Sequence, residues 1–150
     1  MSNEADLMKL YSAQILQLTT ELSRVGRLDA PSHSAKRRAP LCGSSVTVDL
    51  LIEDGVIRDY AHDVKACALG QAAASVVAKN IVGRNTAQVV ATRDALAKLL
   101  AEDGPVPQAP FDGLEVLRAA KDYKNRHASI MLALDAACDA LSGDSDAQDA

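Results

Sequence analysis

From Val46 to Ile52 the chain alternates: Val46, Val48, Leu50 and Ile52 fall on one side, Thr47, Asp49 and Glu53 on the other. A period of two marks a strand with one buried face. Asp54-Gly55 follows at once. That dipeptide accepts the left-handed backbone of a tight hairpin turn, which fixes the direction of what comes next. Val56 to Val64 is then the returning strand. Two strands alone are marginal, so the pattern calls for a third, placed at Ala35 to Ala39, and for a layer of helices: an α+β domain.

The helices are legible by period. Leu7, Leu10, Tyr11, Ile15, Leu18 and Leu22 make one apolar stripe on a first helix from about Asp6 to Leu22. From Cys67 an alanine-rich run reads as helix to about Ile81, and its small residues allow close approach to the sheet. Gly83 ends it. Asn85 and Gln88 form a capping-box pair that opens a third helix, with Val89, Val90, Leu96, Leu99 and Leu100 on its apolar face. Gly104-Pro105-Val106-Pro107 is a break. A short helix over Leu114 to Tyr123 and a last one over Arg126 to Leu141 complete about five helices. Residues 1–141 are expected to form one domain, and 142–150 a disordered acidic tail.

A chain of 150 residues buries enough surface to fold without a disulfide or metal. Its net charge of −4 argues against general nucleic-acid binding. The basic Lys36-Arg37-Arg38 run reads as a solvated face, or as a contact for an acidic partner. No apolar run is long enough to suggest a membrane span, and the first residues lack the apolar core of a secretory signal. Three cysteines, an odd number in a chain able to build its own core, suggest a reducing compartment, and so a cytoplasmic location.

Chemistry concentrates in two of those cysteines. Cys67 stands where the returning strand gives way to a helix. The first N–H groups of a helix lack partners in their own helix and favour an anion, so a thiol there is easily ionised. A reactive or metal-binding thiolate fits the position, and so does a small apolar residue at a corner. Cys42 lies in the turn Pro40-Leu41-Cys42-Gly43, and Gly43 leaves room for close approach of a ligand. Cys42 just precedes the outgoing strand and Cys67 just follows the returning one. An antiparallel hairpin brings those two points together. Further donors are few. His127, near the start of the last helix, is the imidazole candidate; Ser44 and Ser129 are weak neutral ligands. Arg126 puts a positive charge nearby. His33 and His62 read as surface residues, and Cys138, in line with Ile130, Leu134 and Leu141, as core.

The chain resembles the iron–sulfur cluster scaffold family of the IscU, SufU and NifU N-terminal type. The resemblance is carried by Leu10-Tyr11, Gly26 and Leu28, and by Pro40-Leu41-Cys42-Gly43-Ser44-Ser45-Val46-Thr47-Val48. It continues through Asp54-Gly55-Val56-Ile57-Arg58-Asp59, Ala66-Cys67-Ala68-Leu69 and Ala72 to Ser75, then Arg126-His127-Ala128-Ser129 and Leu132-Ala133-Leu134-Asp135-Ala136. The long stretch between Cys67 and the last helix is similar to the SufU-type spacing. The resemblance implies a three-stranded antiparallel sheet with helices packed mainly on one side. It implies a scaffold or carrier rather than an enzyme, holding iron or a transient Fe–S cluster, or a zinc ion. The implied partners are a cysteine desulfurase, which supplies sulfur, and Fe–S target or carrier proteins.

Family members hold their cargo with three cysteines and an aspartate. Cys42 and Cys67 match two of these. Ser44 stands where the aspartate belongs. The third cysteine falls at Ser129 if Leu132-Ala133 and Asp135-Ala136 set the register, or at Ala128 if it slips by one, and His127 matches a histidine close to it. Ala66 replaces a glycine often found before the second cysteine. The expectation is therefore a scaffold with a reduced site, Cys42 and Cys67 holding iron or a cluster with His127 or a second chain completing it. The alternatives are a non-ligating adaptor that keeps the fold and partner surface, and a zinc-dependent sulfur acceptor.

Overall fold

A computed structural model describes residues 13–40 and 43–143. Residues 13–20 form helix α1. Strands β1 (His33–Arg38), β2 (Ser45–Glu53) and β3 (Val56–Lys65) follow, then helices α2 (Ala68–Asn80) and α3 (Thr86–Glu102), a 3-10 helix (Phe111–Ala120), a 3-10 turn (Lys124–Arg126) and helix α4 (His127–Ser142). The strands make one antiparallel sheet in the order β1-β2-β3. The expected α+β class, the three-stranded sheet and the helical layer are all found. No helix among the described residues is long and apolar enough to cross a membrane.

The alternation read in β2 holds: Val46, Val48 and Leu50 are buried. They share one core with Ile57 and Tyr60 of β3 and with Ile130, Leu134 and Ala137 of α4. Burying each such aliphatic side chain contributes roughly 1.5–3 kcal/mol. Asp54 and Gly55 take the predicted positive φ values, 54° and 77°, and turn the chain sharply enough for Glu53 to face Val56. Helix α2 lies deep in the molecule, with Ala72, Ala73, Ala74, Val76, Val77 and Ala78 all buried. At Asn85 the full capping box forms: its side chain accepts from the Gln88 N–H, and the Gln88 side chain accepts from the Asn85 N–H.

The third strand begins two residues earlier than expected, at His33, and closes at Arg38. The predicted helix over Leu114 to Tyr123 is instead a 3-10 helix that starts at Phe111. It spaces Phe111, Leu114, Leu117 and Ala120 three residues apart, all buried, as the threefold turn of a 3-10 helix requires. Arg37 is not simply a solvated member of its basic run. Its guanidinium grips Asp139 of α4 through two hydrogen bonds of 2.8 and 3.0 Å, tying sheet to helix. Ser142 ends α4 rather than opening a tail. Residues 144–150 of the expected tail, and the start of the expected first helix, lie outside the described residues.

Two polar residues are unexpectedly buried. Asp49, on the sheet face opposite Val48, has no exposed surface. The Arg27 guanidinium donates twice to it, at 2.7 and 3.0 Å, the Leu28 N–H once, at 3.0 Å, and the Ser34 hydroxyl once. This cluster straps the segment after α1 across the sheet. His62, expected at the surface, is fully buried. Its Nε2 donates to the Ser23 carbonyl at 2.7 Å. Its backbone pairs with the 24–26 segment as a short parallel edge on β3: the His62 N–H donates to the Arg24 carbonyl, and the Gly26 N–H to the His62 carbonyl.

Candidate metal and sulfur site

The hairpin register places the site. Ser45 of β2 faces Lys65 of β3, so Ser44 and the residues after Lys65 leave the same edge of the sheet. Before β2, the Ala39 N–H donates to the Ser44 carbonyl at 2.8 Å and the Gly43 N–H to the Ala39 carbonyl at 3.0 Å. These bonds pinch the loop that carries Cys42 at its base. Gly43 has φ +73°, a conformation glycine adopts without strain. Leu41 and Cys42 themselves lie outside the described residues.

After β3 the chain turns at Cys67, the N-cap of α2, with extended backbone angles. The Cys67 sulfur is 3.4 Å from the Ser129 hydroxyl on the first turn of α4. The Ser129 hydroxyl is also 3.2 Å from the Ser44 hydroxyl, and its single rotatable proton can serve either Ser44 or an ionised Cys67. Three elements thus converge: the loop before β2, the start of α2 and the start of α4. Ser44 and Ser129 are both buried, 5% and 1% exposed, while Cys67 is part-exposed. Ser129 thus meets Cys67 directly, and Ser44 is linked to it through Ser129. Ala128 beside Ser129 is exposed.

Partial burial opposes ionisation of Cys67, but four groups outweigh it: the Ser129 hydroxyl, the backbone N–H groups of Gly70 and Leu69, and Arg126. The two amides face the sulfur without forming a formal side-chain cap. The thiol is held below its ordinary pKa as a result. The helix start is thus joined by a hydroxyl 62 positions away that sequence spacing does not reveal. Cys138 is the opposite case. It is buried in the core, as expected, and burial pushes its thiol up to about 11, so it is not a candidate ligand.

His127 stands at the first position of α4, two residues before Ser129. Its Nε2 is 3.0 Å from the carbonyl of Ala120, at the end of the 3-10 helix. Among the described residues, no three His, Cys, Asp or Glu side chains stand close enough together to hold a metal ion. What converges there is one readily ionised thiol, two hydroxyls and one guanidinium. The thiol is the one soft ligand among them, so the described residues alone do not make a closed structural site, which takes four Cys or His ligands.

Comparison with known proteins agrees with the fold. The family model for the NifU-like N-terminal domain matches residues 10–130. The iron–sulfur cluster assembly scaffold protein IscU of Thermotoga maritima is 27% identical over 90 residues, which cover 60% of this chain and 63% of that protein. This chain thus spans less than two thirds of that relative's length. Among solved structures, the N-terminal part of a nitrogen-fixing NifU-like protein from Brucella abortus superimposes with a TM-score of 0.85. It is 42% identical, and the match covers 89% of this chain and 92% of that one. A SUF-system iron–sulfur cluster assembly scaffold protein from Fervidobacterium islandicum shares the fold, with a TM-score of 0.75, 18% identity and coverage of 85% and 93%.

Proposed function

This chain belongs to the NifU-like N-terminal domain family of iron–sulfur cluster assembly scaffold proteins, and from that premise we propose that it carries iron or a transient Fe–S cluster on Cys67 and Cys42. The observation that supports the reading is the convergence at Cys67: a thiol biased toward thiolate, beside Ser129 and Ser44, at the edge from which the Cys42 loop departs. Two residues of chain span at most about 7 Å, so Cys42 is tethered within reach of the same cargo as Ser44. Thiolates are the ligands Fe–S clusters take from proteins. Two thiolates and neutral hydroxyls would hold such a cargo loosely, which suits a protein that must give it up. With its Nε2 on the Ala120 carbonyl, His127 can offer only Nδ1 to a metal, and a second chain or the receiving protein is the other source of the remaining ligands.

A cysteine desulfurase is the proposed sulfur source. The Cys67 thiolate would attack the terminal sulfur of the donor's persulfide. A new S–S bond forms to Cys67 as the donor's S–S bond breaks, and the donor cysteine leaves as thiolate. Arg126 lies where it offsets the negative charge on the incoming sulfur.

A second reading is favoured by the serines themselves. With Ser44 and Ser129 in place of charged ligands, the chain would serve as an adaptor that keeps the partner surface without ligating cargo. Anaerobic reconstitution with ferrous iron and sulfide separates the two. The scaffold reading expects iron, labile sulfide and visible absorption in the wild type, and their loss in Cys67→Ser and in Cys42→Ser. No bound iron in the wild type, with desulfurase binding unchanged in the double variant, would establish the adaptor instead.

A further inference from the structure

Helix α2 carries a glycine on its first turn, Gly70, that is buried against α4. Glycine within a helix costs about 0.5–1 kcal/mol relative to alanine, and the neighbours of Gly70 in α2 are largely alanines. A physical reason for the exception lies across the interface. A Cβ on Gly70 would stand 2.6 Å from the Ser129 Oγ, 2.8 Å from the Ala66 Cβ and 3.0 Å from the Ser129 carbonyl oxygen. Ser129 is almost wholly enclosed, and its carbonyl is backbone. No side-chain rotation relieves that last contact. Turning the Ser129 hydroxyl away relieves the first, but it withdraws the same oxygen from the Cys67 sulfur, 3.4 Å away.

We infer that Gly70 is a positioning residue for the cargo site: its missing side chain is the space through which the Ser129 hydroxyl reaches Cys67. The assignment deepens the scaffold reading and, in what it says about cargo, rests on it. Hydrogen bonds to the sulfurs of a cluster help set its reduction potential. A donor to sulfur favours the more negative, reduced form. Gly70 therefore acts on bound cargo through Ser129, without touching it.

Proximity can be read without any cargo. In a Cys42→Ser background, Ser129→Cys places a thiol against Cys67. Oxidised glutathione should then join the two in a disulfide, identified by peptide mass spectrometry. Adding Gly70→Ala should slow that closure at least tenfold. Equal rates with and without Gly70→Ala would overturn the inference. Should Gly70→Ala fold poorly, the comparison moves to unfolding midpoints. Gly70→Ala must then cost less in a Ser129→Gly background than beside the native serine, and an equal cost in both would overturn the inference. In loaded protein, Gly70→Ala and Ser129→Ala should each shift the reduction potential downward and should not add to one another; additive shifts would contradict a shared route through Ser129. A wild type that never loads cargo defeats the scaffold reading and leaves the disulfide and unfolding results to decide the role of Gly70.

Discussion

The Cys67 sulfur and the Ser129 hydroxyl meet at 3.4 Å across 62 positions of sequence. Neither residue is special alone. The first is the N-cap of one helix and the second lies in the first turn of another, so the contact exists only because α2 and α4 pack with their starts side by side. The chemistry of the site follows from that packing.

Ser129→Ala should make Cys67 less reactive. The hydroxyl is the largest of the groups that favour the Cys67 thiolate, and a hydrogen bond to a charged group contributes about 1.5–3 kcal/mol when shielded. Cys67 is part-exposed, so the expected loss is smaller, up to about tenfold in iodoacetamide rate at neutral pH. The midpoint of the rate against pH should move up. An unchanged profile would show that the hydroxyl does not favour the thiolate.

Ser129→Cys should tighten the site. A thiolate replaces a neutral hydroxyl, and clusters are held by thiolates. Iron retained through gel filtration after reconstitution should rise above that of the wild type. Retention at or below the wild-type level would place the cargo away from α4.

Asp49 should make the fold acid-sensitive. Burial raises its pKa, but Arg27, Ser34 and the Leu28 N–H together bring it below the ordinary aspartate value. A depressed carboxyl adds stability that is present above its unfolded pKa and is lost as pH falls through the lower folded value. The loss should therefore begin near pH 4 and deepen below it. Asp49→Asn should unfold about 2–4 kcal/mol more easily at neutral pH and show a flatter acid limb in urea titrations.

His62 should release the 23–26 segment at mildly acidic pH. Burial lowers the pKa of its ring, against the raising effects of the Ser23 carbonyl and Asp63. Neutral His62 is thus the folded form, and its stability is present above the unfolded pKa, about 6.5, and lost as pH falls through the lower folded value. Amide exchange of Gly26, whose N–H is bonded to the His62 carbonyl, should accelerate below about pH 6 more than that of Val48 in the central strand. Parallel acceleration of both would mean global unfolding instead.

Local pattern carried much of this in the sequence. The β2–β3 hairpin, the Asn85–Gln88 box and the core place of Cys138 are written in runs of a few residues. What sequence did not reveal depends on partners far away. Asp49 looks like any polar residue on the open face of a strand until Arg27, 22 positions earlier, closes over it. His62 looks exposed until the segment after α1 runs alongside β3. The 3-10 helix at Phe111 has apolar residues three apart, a spacing an α-helix shares at its edges, so packing decided between them. At the site, the hairpin foretold that the segment before β2 and the start of α2 leave the same sheet edge, and family likeness pointed to the two serines. The contact that joins Ser129 to Cys67 required the helix packing.

In the scaffold reading, sulfur from Cys67 and Cys42 together binds iron. X-ray absorption at the iron edge of protein loaded anaerobically with ferrous iron alone tests it most directly, because no sulfide is then present to supply sulfur neighbours. A mixed shell of sulfur and lighter atoms is expected, with sulfur neighbours falling in Cys67→Ser and again when Cys42→Ser is added. A shell of light atoms only in the wild type, or a sulfur shell unchanged by both substitutions, would contradict it.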